Sequence, residues 1–115
     1  MPQVQHFGVL EFRPGVSREQ IKRCFAELCG LAGKIPGLLG MCHGPYDSPE
    51  GLNDGFTHGF IMSFDSPAAR DSYLSHREHE GVKEIIVPFL ARVIVFDFAV
   101  SEQQTAGDAP SSGEC

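Results

Sequence analysis

The sequence predicts an α+β fold with four strands and two main helices in the order β-α-β-β-α-β. Two observations predict the helices: an amphipathic pattern follows Ser17, and the pair Ser66-Pro67 has the composition of a helix start. A third observation predicts the strands, because segments of apolar or alternating character lie at 4–12, 56–64 and 91–100, with a weaker one at 38–44.

The first half of the chain is predicted to form a strand, a helix and a weak strand. The strand at 4–12 is ended by the turn-forming residues 13–15. Ser17 and Gln20 have the spacing of a capping box, in which each side chain bonds to the other's backbone N–H. Apolar residues then recur at helical spacing as far as Ala32, so this helix has one buried stripe.

The second half is predicted to form a strand, helices and a final strand. The strand at 56–64 carries phenylalanines and His58 on one face. The helix that starts at Ser66 is expected to reach about His76, and residues 80–90 form a second short helical segment. The last strand, 91–100, is an almost continuous apolar run and is therefore predicted to be buried on both faces.

This element order is that of a split βαβ unit, the ferredoxin-like arrangement. Two helices would cover one face of the sheet and leave the other, equally apolar face open. A homodimer that joins two open faces is the simplest way to bury them. Asp97, on the apolar last strand, is interpreted as an acid that caps a neighbouring loop.

The size and charge of the chain restrict its class. With 115 residues it forms one domain, expected at 1–100, and residues 101–115 lack apolar periodicity and are expected to be a disordered tail. The formal net charge of −6 argues against nucleic acid or an anionic membrane as the main partner. Four cysteines without a CxxC pair, and an N-terminus unlike a signal peptide, predict a cytoplasmic protein.

Histidines are the main candidates for chemistry, because imidazole both accepts and donates protons near neutral pH. Tyr73 precedes the charged run 76–79, which contains His76 and His79. A histidine-rich surface helix end is the alternative interpretation, as is a core role for strand histidines such as His58. His76 and His79 could form half of a metal site, but no further ligand is placed beside them, so no metal and no cofactor are expected.

Several separated motifs resemble the stress-responsive dimeric α/β-barrel family, whose members include polyketide cyclases. They are H-x-x-V-L-x-F in the first strand, G-F-T-H-G-F in the third, and D-S-Y-L-S-H-R-E-H followed by I-V-F-D. The resemblance covers residues 3–100. It implies that His79 is a general base with Tyr73 as its partner, and that His58 and His6 line the cavity.

Two positions depart from the family pattern. Leu28 stands where the family cyclases have a pocket tyrosine, which changes the shape of the substrate-binding region. Arg77 stands where the family usually has proline, and its guanidinium could hold a substrate carboxylate.

The function implied is cofactor-independent acid–base catalysis on a small carbonyl or polyketide-like compound, by aldol-type cyclisation or related lyase chemistry. His79 would remove a proton, Tyr73 would orient it or donate to the oxyanion, and His58 and His6 would bind substrate oxygens. Two alternatives remain open: a non-catalytic stress-responsive or ligand-binding barrel, and a cofactorless monooxygenase on the same fold.

Overall fold

The structure, a computed structural model, describes residues 2–101. Four strands, β1 to β4, and three helices, α1 to α3, follow the order β1, α1, β2, β3, α2, α3, β4. In that order their bounds are Val4–Phe12, Arg18–Cys29, Leu38–Pro45, His58–Phe64, Pro67–Leu74, Arg77–Ile86 and Leu90–Ala99. The tail expected at 101–115 lies outside the described residues, apart from Ser101.

The four strands form one antiparallel sheet in the order β2-β3-β1-β4. This is the ferredoxin-like arrangement, so the predicted fold class is confirmed. The alternate residues of β1 that face the helices are buried, namely Val4, His6, Gly8 and Leu10. The helices therefore cover one face of the sheet, and the core lies between the two layers.

Helix α1 begins as the sequence predicts. Ser17 Oγ accepts a hydrogen bond from the Gln20 N–H at 3.1 Å, and the Ser17 N–H donates to Gln20 Oε1 at 2.9 Å. The helix buries Cys24, Phe25 and Leu28 against the sheet, so the predicted capping box and apolar stripe are both present.

The boundary between α2 and α3 differs from the prediction. Helix α2 ends at Leu74 rather than at His76, and α3 begins at Arg77 rather than at residue 80. His76 is extended and half-buried, and its Nδ1 accepts a hydrogen bond from the Glu78 N–H at 3.1 Å. A side chain that caps the next helix supplies the break, and the sequence pattern alone did not reveal it.

Strand β3 begins at His58, two residues later than predicted. Phe56 precedes the strand and is buried, with the Arg92 guanidinium lying over its ring at 4.1 Å. This cation–π contact accounts for a buried aromatic residue outside the sheet.

Strand β4 is not buried on both faces in a single chain, contrary to the prediction. It is an edge strand paired with β1 alone, and Ile94 and Phe96 are 56% and 57% exposed. On the sheet face without helices, the Phe96 ring lies 5.6 Å from the ring of Phe7. The apolar pattern that resembled a central strand therefore belongs to an uncovered surface, since nothing within residues 2–101 packs over it.

Gly8 allows a close contact in the middle of the sheet. A Cβ atom at this position would lie 2.6 Å from the Phe60 ring, which its cross-strand partner contributes. The ring of Phe60 can therefore approach β1 this closely only because residue 8 lacks a side chain. As for membranes, none of the helices in residues 2–101 has both the length and the apolar character required to span one.

Candidate functional site

A cavity of about 350 Å³ lies between the sheet and helices α2 and α3. Its polar side chains are His6, Tyr73, His79 and Lys83. The remaining lining is apolar and consists of Leu10, Leu28, Phe60, Leu74, Val82, Ile86, Val87, Leu90, Val93 and Val95. Because several of these apolar residues are about half exposed, the cavity has an apolar mouth beside β4.

Tyr73 and His79 meet in this cavity because the chain breaks between α2 and α3. Their rings are stacked, with centroids 4.1 Å apart and an angle of 29° between the planes. Tyr73 is 1% exposed and lies in the last turn of α2, whereas His79 lies in the first turn of α3. Six residues of one continuous helix would not have brought the two rings into this contact.

Burial shifts the pKa values of His79 and Tyr73 in opposite directions. Burial lowers the pKa of His79 below 6.5, and nearby Lys83 and His6 lower it further against the opposing effects of the Leu74 carbonyl and Glu80. Burial, with a smaller effect of the Asp97 charge, raises the pKa of Tyr73 well above 10. Both shifts favour the uncharged forms, as expected in an apolar cavity.

A backbone contact favours one tautomer of the His79 ring. Its Nδ1–H donates a long hydrogen bond of 3.4 Å to the carbonyl oxygen of Leu74, which can only accept. Nε2 is therefore the basic nitrogen of the neutral ring.

His6 is the second histidine whose ring contacts Tyr73. It is buried on β1, and its ring centroid is 5.5 Å from that of Tyr73 in an edge-on arrangement. His6 Nδ1 is 2.7 Å from Asp97 Oδ1, and Arg70 Nη1 is 2.8 Å from Asp97 Oδ2.

Asp97 does not cap a loop, so its interpretation from the sequence is wrong. Only the cross-strand register, in which His6 and Asp97 are Cα partners, reveals their contact. A single acid in the apolar run of β4 was the available signal, and it required knowledge of the strand pairing to be interpreted.

His58 does not line this cavity. It is on the same face of the sheet as His6, but its ring packs beside Phe12 and Phe25 at centroid distances of 5.4 and 5.6 Å. The cross-strand pair of Gly8 and Phe60 lies between the positions of His6 and His58 in the strand register. Burial also lowers the pKa of His58, and nearby His43 lowers it further.

Two further predicted site residues have different positions. Leu28 lines the cavity from α1, as expected of a residue at the pocket wall. Arg77, by contrast, is exposed at the start of α3 and is not among the residues that line the cavity.

Within residues 2–101, no three histidine, cysteine or acidic side chains converge as a metal site.

Comparison with known proteins identifies relatives over most of the chain. The stress-response A/B barrel domain-containing protein HS1 of Arabidopsis thaliana is 30% identical over 95 residues, 83% of this chain and 87% of that protein. Olivetolic acid cyclase of Cannabis sativa is 24% identical over 95 residues, 83% of this chain and 94% of that protein.

Solved structures share the fold. A crystal structure of an Arabidopsis thaliana protein matches with a TM-score of 0.83 at 28% identity, covering 89% of this chain and 99% of that one. A dimeric ferredoxin-like protein of unknown function from Jannaschia sp. gives 0.76 at 28% identity, with 85% and 99% covered. Hydroxynitrile lyase from Passiflora edulis gives 0.82 at 21% identity, with 90% and 98% covered, a likeness of fold.

The family comparison agrees with these relatives. Residues 4–100 match the family described as the stress responsive A/B barrel domain. Since this match covers nearly the whole folded region, the chain belongs to the stress responsive A/B barrel domain family.

Proposed function

We propose that the protein is a cofactor-independent acid–base enzyme that acts on a small carbonyl compound, by aldol-type cyclisation or related lyase chemistry. The observation that carries this proposal is the stacked pair of Tyr73 and His79 in a mostly apolar cavity. With the pKa of His79 lowered and that of Tyr73 raised, the pair offers a neutral base beside a protonated phenol near pH 7.

The proposed reaction keeps all atoms and electrons within the substrate and these side chains. His79 Nε2 takes a proton from the carbon next to a carbonyl, and the remaining electron pair forms a carbon–carbon bond to a second carbonyl. The oxygen of that second carbonyl becomes an alkoxide and takes a proton from Tyr73, which regains one from His79. Neither oxidation nor reduction occurs, so this chemistry requires no redox cofactor.

The relatives favour this class of reaction. Olivetolic acid cyclase is, by its name, a cyclase, and it aligns with 83% of this chain. At 24% identity the substrate itself does not carry over. Leu28 and the other apolar residues of the cavity favour a substrate with apolar surface.

We also propose that the enzyme is a homodimer joined through the sheet face without helices. Five large apolar residues of β4 are 44–57% exposed, and three of them, Ile94, Phe96 and Phe98, lie on that face. An apolar strand at a sheet edge exposes both side chains and unpaired backbone groups unless a partner covers it. Several structural relatives are dimeric ferredoxin-like proteins, which supports a homodimer here.

The test follows ring closure of a linear poly-β-ketoacyl thioester of N-acetylcysteamine by chromatography. His79→Gln should lower kcat/KM by about 10²- to 10⁴-fold, because it removes the general base, and Tyr73→Phe should lower it by a smaller factor. His58→Gln is the matched control, since His58 lies outside the cavity, and it should keep the wild-type rate.

The competing function is a non-catalytic ligand-binding barrel, which the apolar lining of the cavity also suits. In that case the thioester would bind without ring closure, and His79→Gln would bind it as well as the wild type. Equal rates for wild type and His79→Gln above the uncatalysed rate would likewise contradict the role of His79.

A further inference from the structure

We propose that Asp97, held by Arg70, is a positioning residue that fixes His6 as a hydrogen-bond acceptor on the cavity and thereby selects the enol or hydroxyl form of a substrate. This inference rests on the proposed acid–base function and adds the chemical group that the substrate must carry.

The geometry fixes which nitrogen of His6 carries a hydrogen toward Asp97. Both oxygens of the Asp97 carboxylate are used: Oδ1 lies 2.7 Å from His6 Nδ1, and Oδ2 lies 2.8 Å from Arg70 Nη1. A carboxylate paired with a guanidinium only accepts hydrogen bonds, so Nδ1 of His6 must carry the hydrogen. In the neutral form of the ring, the lone pair then lies at Nε2.

Nε2 is the nitrogen left for a ligand. His6 lines the cavity, and within residues 2–101 none of the hydrogen bonds involves its Nε2. An unprotonated Nε2 accepts a hydrogen bond but cannot donate one, so it binds an O–H group and disfavours a carbonyl oxygen. A β-dicarbonyl compound in its enol form carries such a group next to an acidic carbon.

The positions of the two histidines fit one substrate of this class. Tyr73 contacts both rings, with its centroid 5.5 Å from that of His6 and 4.1 Å from that of His79. An enol hydroxyl bound at His6 would fix one end of the molecule, while a carbon acid further along faces His79. Arg70 and Asp97 do not line the cavity themselves, so their effect on the substrate passes through His6.

The sharpest variant is Asp97→Asn, because Arg70 determines how the new amide is oriented. Arginine only donates, so it would hold the amide oxygen and leave the amide NH₂ facing His6 Nδ1. His6 would then accept at Nδ1 and carry its hydrogen at Nε2. The substitution should therefore invert the tautomer rather than merely weaken a contact.

The measurement is the imidazole ¹⁵N signature of His6 in the full chain labelled with ¹⁵N-histidine, assigned by the signals lost in His6→Gln. Wild type should show hydrogen at Nδ1, and Asp97→Asn should show it at Nε2. Asp71→Asn is the matched control: it removes the other carboxylate on Arg70, at 2.9 Å from Nε, without touching His6. This control should keep the wild-type signature.

With the poly-β-ketoacyl thioester, Asp97→Asn should lower kcat/KM by roughly 10- to 100-fold, the usual effect of mismatching a buried polar contact. Asp71→Asn should leave it unchanged. Inverted tautomer with unchanged kcat/KM would overturn the positioning role.

The tautomer is measured without substrate, so it is independent of the proposed function. Hydrogen at Nε2 in wild type, or no inversion in Asp97→Asn, overturns the inference even if the thioester is turned over. Failure of the wild type to close the ring counts against the proposed function alone. If Asp97→Asn does not fold, the wild-type signature still decides the assignment.

Discussion

At the scale of single residues, one apolar cavity keeps both a histidine and a tyrosine uncharged. The histidine becomes a weaker base but is available as one at neutral pH, and the phenol keeps its proton over the whole physiological range. A solvated pair of the same residues would titrate near 6.5 and 10 instead.

The pH dependence of activity follows from these shifts. For the proposed reaction, kcat/KM should rise as His79 loses its proton, with a midpoint below 6.5, and stay level to beyond pH 10 because Tyr73 remains protonated. Initial rates between pH 4.5 and 10 test this expectation. A midpoint above 6.5 would contradict the role of burial at His79.

Stability should respond to the same group. Between the folded pKa of His79 and its unfolded value of 6.5, the unfolded chain binds more protons. The stability associated with the neutral ring is fully present above pH 6.5 and is lost as the pH falls through the folded pKa. His79→Gln should flatten this part of the curve in urea unfolding at pH 5 to 7, while the contribution of His58, which has the same sign, remains.

At the scale of elements, the break between α2 and α3 creates the site. His76 lies between the two helices and caps the N-terminus of α3. His79 follows in the first turn of α3, where its ring stacks against that of Tyr73. The cap is thus part of the site's geometry although His76 does not line the cavity.

Replacing the cap should cost stability. His76→Ala removes the acceptor of the Glu78 N–H and should lower the free energy of unfolding by about 1 kcal/mol, within the usual range for N-caps. His76→Asn, which retains a capping acceptor, is the matched control and should lose less. Equal losses in the two variants, measured by urea unfolding, would show that the cap contributes nothing.

The sequence predicted the strands and helices better than it predicted which side chains surround each residue. Period and capping signals located β1, α1 and the start of α2, because these are local properties of the chain. Motif resemblance named Tyr73, His79 and His6 as site residues, and the structure places all three on one cavity. His58, which was placed with them, does not line the same cavity. Its position relative to His6, with Phe60 between the two, depends on the strand register, which a local sequence pattern does not give.

At the scale of the whole molecule, β4 connects folding with assembly. Its apolar run gave the pattern of a central strand, yet in one chain it is an edge with both faces open. A second copy over the face without helices would give that run the burial that the pattern indicates.

A charge on this face should separate the proposed dimer. Phe96→Asp places two carboxylates in one symmetric interface and removes two aromatic side chains, so the dimer dissociation constant should rise by more than about 10³-fold. Leu74→Asp is the control, since Leu74 is 46% exposed at the end of α2, on the side of the sheet away from that face, and should leave the dimer intact. Sedimentation equilibrium measures both; a monomeric wild type at micromolar concentration would contradict the dimer.

The contact between Gly8 and Phe60 has a consequence for the range of molecules that this fold could accept. Phe60 lines the compartment that contains His6, Tyr73 and His79, and in the strand register it lies between the positions of His6 and His58. Its ring occupies the space that a Cβ atom at Gly8 would need. A shorter side chain at position 60 would enlarge this compartment on the side of His58 and admit larger compounds, so a single residue limits the size of the binding space.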